Sequence, residues 1–296
     1  MRLGVLAATD SWYLKDLQRA ASSTHEVVGL SFSELTAQVS GDDKSISCGE
    51  VALPEFDAVL VRSMPPGSLE QVVFRMNALA QLEQMGVAVI NSARSLETAI
   101  DKYRCAAELQ CLPHAPRSFV CQTFEEAMRG FELLGGDVVI KPIFGGEGRG
   151  ITRVSDPDLA VRAFKMLAQM NAVIFLQQFI PHKGFDIRLF LLGGRVFAMK
   201  RINPSDWRTN VSRGAATEPF ECDDKLGAIA RAAADRTEAI IAGIDILPGQ
   251  DGKNYLLEVN AVPGWKALAR TLNVDMSAEV LHGIDAVTRQ KAPPLR

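Results

Sequence analysis

The sequence offers little to a thiol or imidazole mechanism. Its five cysteines, Cys48, Cys105, Cys111, Cys121 and Cys222, are odd in number and irregularly spaced. No CxxC pair is present, so a zinc site has no starting point. Reduced thiols in a cytoplasmic protein are the expectation. The four histidines, His25, His114, His182 and His282, are scattered and lack a His or Cys at ligand spacing. No nucleophile elbow supports Ser-His-Asp chemistry. Long apolar runs are also missing: none approaches the ~18–20 residues of a membrane span. The N-terminal run Leu3 to Ala8 is too short for a secretion signal and ends at Asp10. There is no excess of positive charge either. A net charge of -3 and a pI near 5.9 argue against a general nucleic-acid or membrane-surface binder. Internal repeats and low-complexity tracts are absent.

What is present suits a multidomain α/β protein. The chain has 296 residues, 47% of them hydrophobic and 23% charged, enough for two or three buried cores. Short apolar runs at 3–7, 27–30, 58–61 and 87–90 read as buried strands. Helical patterns lie between some of them, clearest at 68–85. This alternation predicts an open α/β domain over 1–94, with ligands at the strand ends. Arg62 stands at one such end, where its guanidinium could pair with a carboxylate or simply face solvent. A second unit is expected over 95–180. Ser95 would cap a helix over 96–109 that carries Asp101-Lys102. A strand at 118–122, a helix at 123–134, a helix at 157–170 and a strand from 172 follow. A third unit is expected over 181–290. In it, strands at 186–192 and 195–202 flank Gly193-Gly194, a hairpin signal. A helix from Leu226 is capped by Asp223 or Asp224. The residues from Lys291 to Arg296 read as a frayed tail.

Four segments carry candidate chemistry. Val138-Val139-Ile140-Lys141-Pro142 is a strand ending in lysine. It runs into Gly145-Gly146-Glu147-Gly148-Arg149-Gly150 and then a strand at 151–154. Backbone N–H groups of such a turn can approach phosphate oxygens, and the loop could close as a lid; a mobile hairpin tip is the alternative. The order is neither a P-loop nor a dinucleotide fingerprint. Arg188, Lys200, Arg201, Arg208 and Arg213 make the stretch 188–213 basic, suited to an anion or else to a solvated face. Near the C-terminus, Gly243-Ile244-Asp245-Ile246-Leu247 and Asn254 to Asn260 flank the turn Pro248-Gly249-Gln250-Asp251-Gly252-Lys253, predicting a hairpin. Alternation places Glu258 and Asn260 on one face, and a suitable register adds Asp245. Three oxygen donors would suit Mg²⁺ with nucleotide phosphates, whereas the bland alternative is a solvated edge hairpin.

In order, Asp101-Lys102, Val139-Ile140-Lys141-Pro142 with the glycine loop, Gln177-Gln178-Phe179-Ile180, Asp186-Ile187-Arg188, Trp207-Arg208-Thr209-Asn210, Gly243 to Leu247, and Leu257-Glu258-Val259-Asn260 with Pro263-Gly264-Trp265 resemble the ATP-grasp ligases, and within them the RimK-like branch. The resemblance covers residues 100–266. It implies an N-terminal Rossmann-like open sheet followed by two ATP-grasp subdomains that enclose ATP. It implies ATP-dependent ligation of an amino acid, L-glutamate foremost, to an acceptor carboxylate through an acyl phosphate. The acceptor could be a tetrahydromethanopterin-like cofactor, another glutamate-tailed cofactor or a protein C-terminus. Lys102, Lys141, Gly145, Gly146, Gly148 and Gly150 would contact phosphates. Backbone groups of Gln178 and Phe179 would read adenine, although Gln178 departs from the usual acid there. Asp186 would meet the ribose, and Arg208, Thr209 and Asn210 the nucleotide. Asp245, Glu258 and Asn260 would hold Mg²⁺ or Mn²⁺, two ions by the family's habit. Arg201 and Arg213, with Lys141, would stabilise the acyl phosphate, and Arg62 and Arg188 would meet substrate. A homodimer or homotetramer follows from the same resemblance. The competing readings are a lysine-biosynthesis-type ligase, a non-catalytic ATP-binding regulator of the same fold, and a small-molecule kinase.

Overall fold

The computed structural model describes residues 1–41, 43–146 and 148–291. Glu147 of the glycine loop and the tail beyond Lys291 lie outside the described residues. The first sheet is parallel, in the order β2-β1-β6-β7, from β1 (Arg2–Leu6), β2 (Glu26–Leu30), β6 (Ala58–Val61) and β7 (Ala88–Ile90). Parallel strands need crossovers, supplied here by α1 (Trp12–Ala20) between β1 and β2 and α2 (Leu69–Gln84) between β6 and β7. Ser68 and Gln71 start α2 with a reciprocal capping box. Between β2 and β6 lies a small antiparallel sheet absent from the sequence reading: β3 (Leu35–Ser40), β4 (Asp43–Cys48) and β5 (Val51–Ala52).

The single helix expected over 96–109 is two. α3 (Ala93–Ile100) is capped by Ser92, whose hydroxyl accepts from the Ser95 N–H; Ser95 is inside the helix and does not cap it. The chain then turns extended at Asp101, whose carboxylate accepts from the N–H groups of Tyr103 and Arg104 and starts α4 (Lys102–Leu109). Asp101 competes with the helix by offering its own cap, which a continuous apolar pattern conceals.

The central unit is an antiparallel sheet, β10-β9-β11-β8, from β8 (Ser118–Cys121), β9 (Val138–Lys141), β10 (Thr152–Val154) and β11 (Ile174–Gln178). α5 (Phe124–Leu133) and α6 (Pro157–Gln169) pack on one face, closing a core around Phe131, Phe164 and Leu176. The third unit is a five-stranded antiparallel sheet, β14-β13-β12-β15-β16. Its strands are β12 (Phe185–Leu192), β13 (Arg195–Ile202), β14 (Ala216–Pro219), β15 (Ile241–Pro248) and β16 (Asn254–Asn260). α7 (Asp224–Arg236), capped by Asp223, covers one face with Ala230, Ala233 and Ala234. α8 (Lys266–Leu272) and α9 (Met276–Lys291) close the chain.

The cores are unevenly divided. Phe190, Trp265, Met276 and Ile284 of the third unit share one apolar cluster with Leu3, Leu17 and Leu60 of the first. Asn91, 1% exposed, reinforces that seam. Its amide donates to the carbonyls of Ile241 and Ala261, both at 2.6 Å, and its oxygen accepts from the N–H groups of Ile240 and Ile241. The central unit keeps a core of its own, so the first and third units form one body and the central unit a second packing unit.

Candidate active site

Strand alternation and register build a row of charge across the third sheet. Asp186 and Arg188 lie two apart on β12 and so share a face. Asp186 is paired in register with Arg201 on β13, Arg188 with Asp245 on β15, and Asp245 with Glu258 on β16. The opposite face is apolar: Ile187, Leu189, Ile244 and Ile246 fill the core under α7. Along the row, Arg201 grips Asp186 through two bonds of 2.7 and 2.5 Å and reaches Asp245 at 2.9 Å. Arg188 holds Asp245 through bonds of 2.5 and 3.1 Å, and the Thr209 hydroxyl donates to Asp186 at 2.6 Å. Arg201, Asp186, Asp245 and Thr209 are all buried. Burial would raise the Asp245 carboxyl, but Arg188 and Arg201 more than offset it and hold it below the ordinary value.

Glu258, at the end of this row, makes no hydrogen bond with a described residue. It faces two lysines, Lys141 of the central unit and Lys102 of α4, a helix that packs Cys105 and Leu109 against the third sheet. Lys141, at the end of β9, donates to the Gln177 side chain at 2.6 Å. Lys102, at the start of α4, donates to the Gly145 carbonyl at 2.6 Å. Burial pushes both ammonium groups below the usual lysine value, and the Glu258 charge opposes that shift at each. The break at Asp101 is therefore functional in geometry: it puts Lys102 at a helix start beside the cleft.

The glycine loop lies over this cleft. Besides the Lys102 contact, Arg213 donates to the Gly148 carbonyl at 3.0 and 3.3 Å. Gly148 has a φ of +69°, and a β-carbon there would collide with the Asn210 amide, so only glycine suits that approach. The narrow space beneath is lined by Lys102, Lys141, Gly145, Gly146, Gly148, Gln178, Phe179, Asp186, Arg201, Arg208, Thr209, Asn210, Asp245 and Glu258 among others. Gly150 and Arg213 do not line it, and Arg213 reaches it only through the loop. Apolar Val139, Ile180, Leu247 and Leu257, with His182 and Trp207, complete the walls. The cluster of Phe179 with His182 and Trp207 (ring centroids 6.0 and 5.9 Å) escaped the sequence reading of His182, whose signal was only its nearness to the Gln177 to Ile180 motif.

Several expected roles change. The N–H groups of Gln178 and Phe179 already donate to the carbonyls of Arg117 and Asp137, so they are not open to a base. Ile180 is the next residue, and its N–H has no partner among the described residues. Arg62 is no open carboxylate binder. It is 6% exposed, its guanidinium lies between the rings of Tyr13 (4.6 Å) and Trp265 (4.3 Å), and it donates to the Pro263 carbonyl. Burial lowers its pKa to about 10. Arg201 is committed to two carboxylates, and Arg208 pairs with Asp206 beside it in the chain.

The three expected metal donors differ in their partners. Asp245, Glu258 and Asn260 offer only oxygen, as hard divalent cations prefer. Among the described residues no cluster of three or more His, Cys, Asp or Glu side chains is arranged for a metal. Asn260 accepts from the Val262 N–H at 2.8 Å, which leaves its oxygen a second lone pair. Glu258 is the unpaired carboxylate. Asp245 already carries two arginines and fits a cation only by sharing its oxygens or releasing Arg188.

A second, wider cleft of about 700 Å³ adjoins the first, with Gly146, Arg201, Asn210 and Glu258 common to both. Arg62, Arg188, Asn260, Trp12, Tyr13, Lys266 and Arg270 border it. No helix among the described residues is long and apolar enough to cross a membrane.

Known proteins resemble this chain in sequence and fold. Residues 1–96 match the RimK PreATP-grasp domain and residues 99–284 the RimK-like ATP-grasp domain. The tetrahydromethanopterin:alpha-L-glutamate ligase of Methanosarcina acetivorans is 30% identical over 264 residues, covering 79% of this chain and 81% of that protein. The ligase of the same name from Methanococcus maripaludis is 27% identical over 289 residues, 95% of this chain and 97% of that one. Among solved structures, the ATP-grasp ligase PsnB complexed with a minimal precursor superposes with a TM-score of 0.77 at 22% identity, covering 96% of this chain and 98% of that chain. At that identity the likeness is one of fold. With two family matches in tandem and relatives of this similarity, the chain belongs to the RimK-like ATP-grasp family.

Proposed function

We propose that the protein is an ATP-dependent carboxylate–amine ligase that attaches an amino acid, L-glutamate by the relatives' names, to an acceptor acid. One observation carries the reading: Glu258, a carboxylate with no side-chain partner among the described residues, faces two half-buried lysines beneath a glycine loop, at the junction with a wide basic cleft. That is the layout for ATP phosphates on one side and an acceptor carboxylate on the other.

The acceptor carboxylate oxygen takes the γ-phosphoryl group from ATP, giving an acyl phosphate and ADP. The amine nitrogen then attacks the acyl carbon, inorganic phosphate departs, and a C–N bond remains. Such transfer asks the protein for positioning and charge neutralisation and needs no protein nucleophile. Lys102 and Lys141 would neutralise phosphate oxygens, and phosphate would displace the Gly145 carbonyl from Lys102. The Ile180 N–H would read the base between Phe179, Leu247 and Leu257. Asp186 would orient the nucleotide while bound to Arg201. Glu258 and Asn260, with Asp245 sharing its charge, would hold Mg²⁺, either one ion or two. When bound, the cation would offset charge on the transferring phosphoryl group. Arg201 would act here by fixing Asp186 and Asp245, and Arg188, on the wide cleft's wall, would meet a developing oxyanion, with Arg213 acting through the glycine loop. The glycine loop would exclude water, which otherwise hydrolyses the acyl phosphate.

The test is ADP release from ATP and Mg²⁺ across panels of acids and amino acids, with the mass of the product measured. Release that requires both an acid and an amine, with a product heavier by one residue, is expected. Release with no amine and a stable phosphorylated product would instead identify a kinase. No acid- and amine-dependent release across the panels would sink the ligase reading.

A further inference from the structure

The wide cleft contains a feature that ligation chemistry at Glu258 does not use. Lys266 and Arg270 lie one turn apart on α8, so their charges sit on one face and repel. Both are exposed, and neither makes a hydrogen bond or ion pair with another described residue. Lys266 lies only over the Trp12 ring, at 5.2 Å. Exposed arginines elsewhere commonly have carboxylates: Arg19 has Asp16 and Asp275, Arg195 has Glu279, and Arg236 has Glu108. Both cations border the wide cleft and not the nucleotide cleft, while Glu258 borders both. Among the described residues, Glu258 is also the only carboxylate on the wide cleft's wall. The wall is positioned firmly, because Arg62 is clamped between Tyr13 of α1 and Trp265 immediately before α8.

We propose that the wide cleft selects an acceptor bearing a second anionic group besides the carboxylate that reacts. Lys266 and Arg270 bind that second group, and Trp12 and Tyr13 pack against the apolar or planar body between the two. This rests on the ligase reading for the identity of the acceptor, but the binding it describes is measurable without turnover. An anion seated between Lys266 and Arg270 relieves their repulsion and forms charge-assisted hydrogen bonds.

The test is calorimetry on the full chain saturated with Mg²⁺ and a non-hydrolysable ATP analogue. N-benzoyl-L-glutamate and hippurate serve as probes, since both are benzoylated amino acids and the first adds a carboxyethyl side chain that carries the second carboxylate. The diacid is expected to bind about tenfold tighter or more, the worth of one charged hydrogen bond. Lys266→Ala with Arg270→Ala should bring the diacid to within about twofold of hippurate, while affinity for the ATP analogue and for hippurate stays constant. Arg270→Lys should retain most of the preference. Equal binding of the two acids by the unaltered protein, no binding of either, or equal weakening of both in the double variant would each overturn the proposal. Failure of the ligase reading shows separately, as missing acid- and amine-dependent ADP release.

Discussion

Two acidic residues on neighbouring strands, Asp245 and Glu258, have opposite energetic positions. Asp245 is buried and bound by two arginines, whereas the Glu258 side chain has no hydrogen-bond partner among the described residues and faces two lysines. Substitution should therefore separate stability from activity. Glu258→Gln is expected to lower turnover by about a hundredfold or more, with a stability change within about 0.5 kcal/mol in urea unfolding. Normal turnover would remove Glu258 from the metal site. Arg201→Met should do the reverse first: it strands Asp186 and Asp245 without their shared cation, costing about 3–5 kcal/mol of folding stability. The lysines supply a pH signature. Burial lowers both in the ligand-free protein, so each loses its proton below the usual value of about 10.4. The unfolded chain binds more protons in that window, so ligand-free stability should rise with pH there. Phosphate would raise both again, so ATP binding in that window should be accompanied by proton uptake. Calorimetry in buffers of different ionisation enthalpy measures this. Lys141→Met should reduce the uptake, and proton release in the native protein would contradict the phosphate role.

At the scale of elements, the glycine loop is held by the groups assigned to phosphate. Lys102 and Arg213 both spend donors on loop carbonyls. Arg213→Ala should free the loop by about twofold to tenfold, the equilibrium worth of one hydrogen bond. Tryptic cleavage after Arg149 reports it, and an ATP analogue should restore protection; an unchanged cleavage rate would mean that Arg213 does not hold the loop. The helix pair α3 and α4 shows how one residue redirects an element. The apolar spacing over 96–109 reads as one helix, yet Asp101 caps its own N–H groups and ends the first. Asp immediately before the Lys-Tyr-Arg run was the available signal, because short acids favour caps over helix interiors. The β3–β5 sheet was harder to see. β3 does alternate, Leu35, Ala37 and Val39 with Thr36, Gln38 and Ser40, but only Leu35 is buried, and so short a run beside polar residues carries a weak strand signal.

For the whole molecule, the division of cores sets what moves together. The first and third units share apolar side chains and the four hydrogen bonds of Asn91, whereas the central unit has its own core. Asn91→Ala would leave two buried N–H groups and two carbonyls without these partners. It is expected to cost about 3 kcal/mol or more in denaturant unfolding. A loss below about 1 kcal/mol, the net worth of a single hydrogen bond, would mean that the seam does not depend on Asn91. The same division places Lys141 and the glycine loop on one packing unit and Asp186, Asp245 and Glu258 on the other, together with Lys102, whose helix α4 sends Cys105 and Leu109 into the third unit's core. The nucleotide cleft is the junction between them.

Local sequence determined the order of chemical groups and much of their facing. Strand period alone put Asp186 with Arg188 and Glu258 with Asn260, and turn chemistry at 248–253 predicted the hairpin that carries the second pair. The resemblance of seven ordered motifs to ATP-grasp ligases was likewise legible without coordinates. Only tertiary structure decided which charges meet. Cross-strand register placed Asp245 between Arg188 and Glu258, so that the acid expected on the metal is first an arginine partner. Domain packing buried Arg62 between Tyr13 and Trp265 and left Lys266 and Arg270 on the cleft wall in its place. Periodicity specifies a side chain's face, but its neighbours come from long-range register and packing, which involve residues far apart in the chain.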